Sequence, residues 1–172
     1  MPKIHFALLC VAVSFGAIAQ EPPRAPQFSR FVSREHGFSV MMPGQPAITR
    51  KVQTATKTGR PIHLTSYLAD LGSRAYMVMI ADYDEQSTID LDGAANGILS
   101  SLQHPEVLAR SKTTFFGRPG RTLDVAAAPN LRLRYRLFAV GRRLYQVALV
   151  APRDRFEDAE PDFYLNSFNL SQ

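Results

Sequence analysis

The 172-residue chain contains no tryptophan and a single cysteine, Cys10. Because Cys10 lies in an N-terminal stretch that we expect to be removed, the mature chain has no thiol. Disulfide bonds and thiolate catalysis are thereby excluded, and stability must come from a hydrophobic core. A domain of about 150 residues is large enough, since it buries roughly 68–70% of the surface that its unfolded chain exposes. A single domain is therefore expected.

The N-terminal stretch has the three parts of a cleavable export signal. Lys3 supplies a positive charge, an apolar run extends from Ile4 to Ile18, and Ala17 and Ala19 are small residues at the positions that signal peptidase recognises. The run is shorter than the roughly 20 residues that a membrane-spanning helix needs. We expect cleavage between Ala19 and Gln20, which predicts an exported protein, periplasmic or extracellular, without a membrane span.

Two alternatives to cleavage are an uncleaved anchor and a lipidated Cys10. Lipidation requires a small residue before the cysteine, whereas Leu9 precedes Cys10 and more apolar chain follows it. After cleavage, residues 20–27 contain three prolines and predict an extended tether. Residues 28–172 then form the single domain.

Short apolar runs separated by turn residues predict many strands and two helices. The predicted strands are Phe28–Ser33, Phe38–Met42, Ala47–Thr56, Ile62–Ala69, Ala75–Tyr83, Val107–Phe116, Thr122–Ala127, Leu131–Ala139 and Arg143–Val150. Apolar spacing of three and four residues predicts a helix over 91–102, with Ser87 and Asp90 resembling a capping box. A second helix is expected over 156–168, with Pro161 in its first turn.

The tight turns between the predicted strands favour a mainly antiparallel sheet. Ala75–Tyr83 and Leu144–Val150 are too apolar for a sheet with one face in water. The expected fold class is therefore α+β, with a mainly antiparallel sheet covered by helices on both faces in α/β/α layers.

Four short segments resemble the PsbP/Mog1-like superfamily over most of residues 28–170. The segments are Gly37-Phe38-Ser39-Val40 running into Pro43, Gly117-Arg118-Pro119-Gly120, Gly141-Arg142-Arg143-Leu144-Tyr145, and Phe163 with Ser167-Phe168. Members of this superfamily are mostly accessory or binding proteins without catalysis. The resemblance therefore implies a layered α+β fold and no active site to transfer.

Arginine alternates with apolar residues in the segment from Leu131 to Leu137. Successive side chains of a strand point to opposite faces, so Arg132, Arg134 and Arg136 form a row on one face, here called the Arg ladder. Arginine presents a bidentate fork to carboxylates and phosphates, which makes the ladder a candidate site for an anion or an acidic partner.

The Arg ladder has a structural alternative, because it could pair with acids of the same chain. The partners considered are Asp124, Glu157, Asp158 and Asp162. A three-residue loop, 140–142, is predicted to follow this strand, since it sets Arg136 opposite Gln146 and Leu137 opposite Tyr145. That register keeps charge on one face and apolar residues on the other.

The distribution of charge adds a fourth candidate, Arg143. The chain has a formal net charge of +5, but residues 69–106 hold seven acids and one base, and residues 107–156 hold eleven bases and two acids. Such asymmetry concerns surface field and partners. It favours an unknown protein or a small anionic ligand as partner. Nucleic acid is not favoured, since the bases are not interleaved with aromatic residues.

No metal or cofactor site is expected. The acids from Asp82 to Asp92 do not fit the calcium loop, whose sixth and twelfth positions here are Ser87 and Gly93, and helix capping explains them better. The methionines, Met77 and Met79 among them, fit core packing better than copper binding.

No catalytic motif is present, which leaves the histidines as the only candidates for acid–base chemistry. His36, His63 and His104 each lie beside a turn or strand. The leading hypothesis is therefore a non-enzymatic exported binding or accessory domain, and the alternative is a small nuclease-like hydrolase. Two histidines, or a histidine and a carboxylate, within hydrogen-bond reach in a concave pocket would favour the hydrolase.

Overall fold

A computed structural model describes residues 27–55, 59–84, 89–156 and 159–171. The expected signal peptide, the tether before Gln27, and the acids Glu157 and Asp158 lie outside the described residues. Neither helix in the described part of the chain is long and apolar enough to cross a membrane.

The structure is rich in strands, as the alternating apolar runs predict. The strands are β1 (Phe28–Ser33), β2 (Phe38–Pro43), β3 (Ala47–Thr54), β4 (Pro61–Asp70), β5 (Ala75–Asp82), β6 (Glu106–Phe115), β7 (Arg118–Ala127), β8 (Leu131–Val140), β9 (Arg143–Pro152) and β10 (Asn169–Leu170). The helices are α1 (Leu91–Ser101) and α2 (Ala159–Ser167), and a single 3₁₀ turn covers Arg153–Arg155. Pro161 lies in the first turn of α2, where its missing N–H needs no partner.

The strands form two sheets, and every strand pair is antiparallel. A seven-stranded sheet has the order β3-β4-β5-β9-β8-β7-β6, and a three-stranded sheet has the order β1-β2-β10. The expectation of a mainly antiparallel α+β domain is confirmed.

The two faces of the seven-stranded sheet belong to two different hydrophobic clusters. On the first face Val78, Val147 and Leu149 pack with Tyr164 of α2 and with Phe38 of β2. We call it the α2 face. On the opposite face, the α1 face, Leu123, Leu133 and Ala148 pack with Ile98 of α1.

The two faces are covered unequally, so the expected layer of helices on both sides is not confirmed. The α2 face is shared between α2 and strands of the three-stranded sheet. α1 packs mainly against β7 and β8. A second sheet thus occupies much of the layer that the sequence assigns to helices.

The first helix begins one residue after Asp90, whose side chain accepts a hydrogen bond from the backbone N–H of Asp92 at 3.0 Å. Asp90 is therefore the N-cap, as its short acceptor side chain favours, and not the third helical residue that the expected capping box requires. The proposed partner in a capping box, Ser87, lies outside the described residues.

The predicted three-residue loop between β8 and β9 is wrong. Val140 pairs with Arg143, so the turn has two residues, Gly141 and Arg142, and Arg136 lies opposite Val147. Gly141 has φ +56°, and glycine with positive φ at the first central position is the signature of a type II′ hairpin turn. The ladder arginines therefore share the α2 face with Val147 and Leu149, and Gln146 is buried on the α1 face.

Candidate functional site

The Arg ladder lies against a buried carboxylate of the neighbouring strand β7. Asp124, 8% exposed, accepts hydrogen bonds from Nε and Nη2 of Arg132, both at 2.9 Å. It also accepts from Nε and Nη2 of Arg134, at 3.0 and 2.8 Å. The carboxylate thus binds Arg132 through both oxygens in bidentate geometry, and its Oδ2 also accepts both hydrogen bonds from Arg134.

The ladder also anchors α2 at both ends. Arg134 Nη1 donates to Asp162 in the first turn of the helix at 3.1 Å. Arg136 donates to the Leu165 carbonyl at 2.8 Å and to the Asn166 side chain at 2.6 Å. A cation at the last carbonyl groups of a helix satisfies acceptors that have no partner within the helix.

Aromatic rings and burial complete the environment of the ladder. The guanidinium of Arg132 lies 4.5 Å from the ring centroid of Phe156, and that of Arg136 lies 5.2 Å from the centroid of Phe115. Burial lowers the pKa of Arg136. Burial opposes ionisation of Asp124, yet the hydrogen bonds from Arg132 and Arg134 outweigh it, so the pKa of Asp124 lies below its usual range.

The ladder arginines therefore contact groups of their own chain, which is the structural alternative considered for them. Of the acids named as partners, Asp124 and Asp162 form these contacts, and Glu157 and Asp158 lie outside the described residues. Binding of an external anion by Arg132, Arg134 or Arg136 stays a prediction.

Arg143 lies at the opposite end of β8 and β9 and has different contacts. Its Nε donates to Asp82 Oδ2 at 3.0 Å, and its Nη1 donates to the backbone carbonyl of Glu35 at 3.4 Å. Arg142 Nε is 3.2 Å from the other oxygen of Asp82. The candidate Arg143 is thus separated from the ladder, and both of its partners line a cleft.

The cleft lies where the turn between β1 and β2 approaches β3, β4 and β5. We call it the hairpin cleft, and it encloses about 300 Å³. Its lining residues are Glu35, His36, Arg50, Lys51, Val52, His63, Leu64, Thr65 and Asp82. Strand register explains this grouping, because Val52, His63, Asp82 and Arg143 lie opposite one another across four adjacent strands.

His36 lines the cleft and is only 4% exposed. Hydrogen bonds hold it in place. Its Nδ1 lies 2.7 Å from the Tyr67 hydroxyl, which is in turn 2.9 Å from the Ser33 hydroxyl. The Tyr145 hydroxyl donates to the His36 carbonyl at 2.7 Å. Burial lowers the pKa of His36 and raises that of Tyr67, so both side chains favour their neutral forms.

Cations outnumber acids at the hairpin cleft. The acids Glu35 and Asp82 are accompanied by Arg50 and Lys51 in the lining, with Arg142 and Arg143 bound behind Asp82. Arg50 Nη2 bonds Glu35 at 2.8 Å, and this bond lowers the pKa of Glu35. Both side chains of that pair are more than half exposed, so the pair is open to exchange with a competing anion.

The cleft brings together two of the three histidines considered for catalysis. His36 and His63 both line it, whereas His104 lies exposed between α1 and β6. Within the described part of the chain, no hydrogen bond or ion pair joins His36 or His63 to a carboxylate. The same residues contain no group of three or more histidines, cysteines or acids placed to hold a metal ion.

Sequence reasoning named His36, His63, Asp82 and Arg143 separately and did not bring them together. The available signal was the short turn Glu35-His36-Gly37, which places a histidine at a hairpin end. It does not say which other strands that end approaches, because the three-stranded sheet packs across the seven-stranded one through contacts distant in sequence.

No family model and no curated protein matches the sequence. Among solved structures, cyanobacterial PsbP (CyanoP) from Synechocystis sp. PCC 6803 is similar, with a TM-score of 0.58, 12% identity, and coverage of 91% of this chain and 97% of that chain. A protein of unknown function, PA94, from Pseudomonas aeruginosa matches with a TM-score of 0.41, 13% identity, and coverage of 78% and 89%. The chain therefore has the PsbP-like fold that its sequence motifs suggest.

Proposed function

We propose that this chain is an exported, non-enzymatic binding domain and that its ligand is anionic and enters the hairpin cleft. The export signal of residues 1–19 supports the location. The PsbP-like fold and the lack of a catalytic motif support binding as the function.

The observation that carries the proposal is the excess of cations around a rigid polar cleft. Arg142 and Arg143 hold Asp82, and Arg50 can exchange its exposed contact with Glu35 for a carboxylate of the ligand. Lys51 is also exposed on β3, on the opposite face of the sheet from Arg50. Because His36 and Tyr67 are already held by buried hydrogen bonds, a ligand would meet a preformed wall.

An NMR titration with citrate, a small polycarboxylate, tests this proposal. We expect citrate to shift the backbone amide signals of residues lining the cleft. The variant Arg50→Gln should bind at least roughly tenfold more weakly, because a charge-assisted contact is lost. Lys112→Gln is the matched control, since Lys112 is equally exposed on β6 at the far edge of the sheet.

Two results would count against the proposal. One is an absence of citrate-dependent shifts at the cleft. The other is equal weakening by Lys112→Gln, which would mean that citrate responds to net charge alone.

The hydrolase alternative rests on the two histidines that share the cleft. A phosphodiester held by Arg50 could meet His36 or His63 as acid or base. Assay with bis(p-nitrophenyl) phosphate tests this function. Turnover that His63→Asn abolishes would favour the hydrolase and overturn the non-enzymatic proposal.

A further inference from the structure

We propose that the anionic ligand is an extended acidic segment of a partner protein, which adds as a strand to the free edge of β3 and places acidic side chains at the hairpin cleft. This inference rests on the proposed function and names the class of partner. Strand addition combines main-chain hydrogen bonds with pockets for alternate side chains, and β3 offers both features.

The first feature is a strand edge with which no described strand pairs. Among the described strands, β3 pairs with β4 on one side and with none on the other. The register with β4 is regular over all eight residues, and seven of them are exposed. An edge strand directs alternate N–H and C=O groups away from its sheet, so this length can accept a partner strand.

The opposite edge of the sheet, β6, is protected. A register irregularity between Val107 and Ala109 interrupts its pairing with β7, and bulges discourage further strand addition. Arg110 turns back to Asp92 and Asn96 of α1. β3 has no such irregularity, so it offers the longer regular edge of the two.

The second feature is the alternation of side chains along β3. Ile48, Arg50 and Val52 pair with Tyr67, Thr65 and His63 of β4, so they lie on the face that holds the cleft. Ile48 is 46% exposed and Val52 is 66% exposed. A partner strand that presents an acidic residue between two apolar ones on this face would match this apolar and cationic row.

Charge also distinguishes an acidic partner from a second copy of this chain. Arg50 and Lys51 are the two central residues of β3. Antiparallel pairing of two copies about that centre would set Arg50 of each copy beside Lys51 of the other. Like charges directly opposite destabilise a strand pair, whereas an acidic strand is attracted.

The test uses a peptide of eight residues, the length of β3, with two glutamates at its centre and valine at the other positions, so that the glutamates lie opposite Arg50 and Lys51 and valines lie opposite Ile48 and Val52. The comparison peptides replace glutamate with lysine, or carry N-methyl groups that remove alternate amide donors. We expect the acidic peptide to bind at least roughly tenfold more tightly than either comparison. It should also slow hydrogen exchange of β3 amides.

Charge reversal completes the test. The variant that combines Arg50→Glu with Lys51→Glu should reverse the preference between the acidic and basic peptides, and Lys112→Glu on β6 should leave it unchanged. If the double variant unfolds, the single variant Lys51→Glu replaces it, because Lys51 is exposed and makes no ion pair among the described residues.

Three outcomes would overturn the inference. They are equal binding of the N-methylated peptide, an unchanged preference in the charge-reversed variant, and concentration-dependent dimers that protect β3 without peptide. Citrate binding at the cleft without protection of β3 by the acidic peptide would leave the proposed function standing and refute this inference alone.

Discussion

At the scale of single residues, the buried carboxylate of Asp124 holds both Arg132 and Arg134. Asp124→Asn would remove the buried counter-charge that both guanidiniums share, whereas the contact of Arg134 with the exposed Asp162 would stay. We expect a loss of roughly 3 kcal/mol in the free energy of unfolding, measured by urea denaturation. Glu106→Gln is the control, since Glu106 forms an exposed pair with Arg153 and should change stability by less than about 0.5 kcal/mol.

The same carboxylate predicts part of the acid response. The pKa of Asp124 is below its ordinary value of 3.8 in the folded state, so its contribution is fully present above that value. The contribution is lost as the pH falls through the lower folded pKa, because the folded carboxylate must then accept a proton. Asp124→Asn should therefore flatten the stability profile in this acidic range, and a variant as acid-sensitive as the wild type would contradict this assignment.

His36 predicts a second response, at higher pH. Burial holds its pKa below the ordinary value of 6.5, so the unfolded chain binds the proton more readily than the folded chain. Stability should be highest above pH 6.5 and should fall as the pH drops toward the folded pKa. His36→Asn, which keeps a polar group beside Tyr67 and does not titrate, should remove this fall in thermal unfolding measured from about pH 8 to pH 5.

His63→Asn is the matched control for that experiment. His63 lines the same cleft, but its side chain is exposed, so its replacement should leave the fall in stability with pH in place. A fall that persists in His36→Asn and disappears in His63→Asn would refute the role assigned to His36.

At the scale of elements, the turn between β8 and β9 depends on the left-handed backbone of Gly141. Gly141→Ala places a Cβ at φ +56°, which costs about 1–2 kcal/mol, although open space surrounds the site. Arg142→Ala, at the second turn position, does not require positive φ and should cost much less. Equal losses from the two variants in chemical denaturation would contradict a type II′ turn.

The same hairpin shows how far the sequence predicts the fold. Alternation of apolar residues is a local property, and it predicts the strands and α1 to within a few residues. Register depends on what covers each face. Gln146 was expected beside Arg136 because both are polar, but Gln146 is buried opposite Leu137. α2 instead supplies Asp162 and the Leu165 carbonyl to the arginines, which lets charge share a face with Val147.

The hairpin cleft was less predictable than the strands. His36 and Glu35 come from a turn in the three-stranded sheet, whereas His63, Asp82 and the cations come from the other sheet. No spacing of residues in the sequence predicts that the two sheets come together at this point. The Arg ladder was found from the sequence because its spacing lies within one strand, and its internal partners Asp124 and Asp162 were named with it.

At the scale of the whole molecule, the two oppositely charged segments of the sequence pair with each other. Acids of residues 69–106 form ion pairs with bases of residues 107–156. The pairs are Asp82 with Arg142 and Arg143, Asp92 with Arg110 and Arg121, and Glu106 with Arg153. Much of the asymmetry that suggests an external partner is thus neutralised within the fold. This is why the cationic excess at one cleft is more informative than the total charge.

The proposed export predicts the mass of the mature molecule. Intact-mass spectrometry of protein recovered from the medium or periplasm should show a chain that begins at Gln20. Retention of residues 1–19 would indicate an uncleaved anchor, and an added lipid mass on Cys10 would indicate a lipoprotein. Either result would place the protein at a membrane and contradict the proposed processing.

The order of the seven-stranded sheet has a kinetic consequence. In this sheet as described, β5 and β9 are the only paired strands that are not consecutive in sequence, and Val78 meets Val147 across them. Pairing β5 with β9 closes a long loop, which costs chain entropy. This cost comes before strands β3–β5 and strands β6–β9 gain contacts with each other. Val78→Ala should therefore mainly slow refolding in stopped-flow experiments, whereas Val125→Ala, equally buried in β7, should mainly accelerate unfolding. Until β5 meets β9, two of the most apolar strands have open edges, so aggregation of the newly synthesised chain competes with this one step.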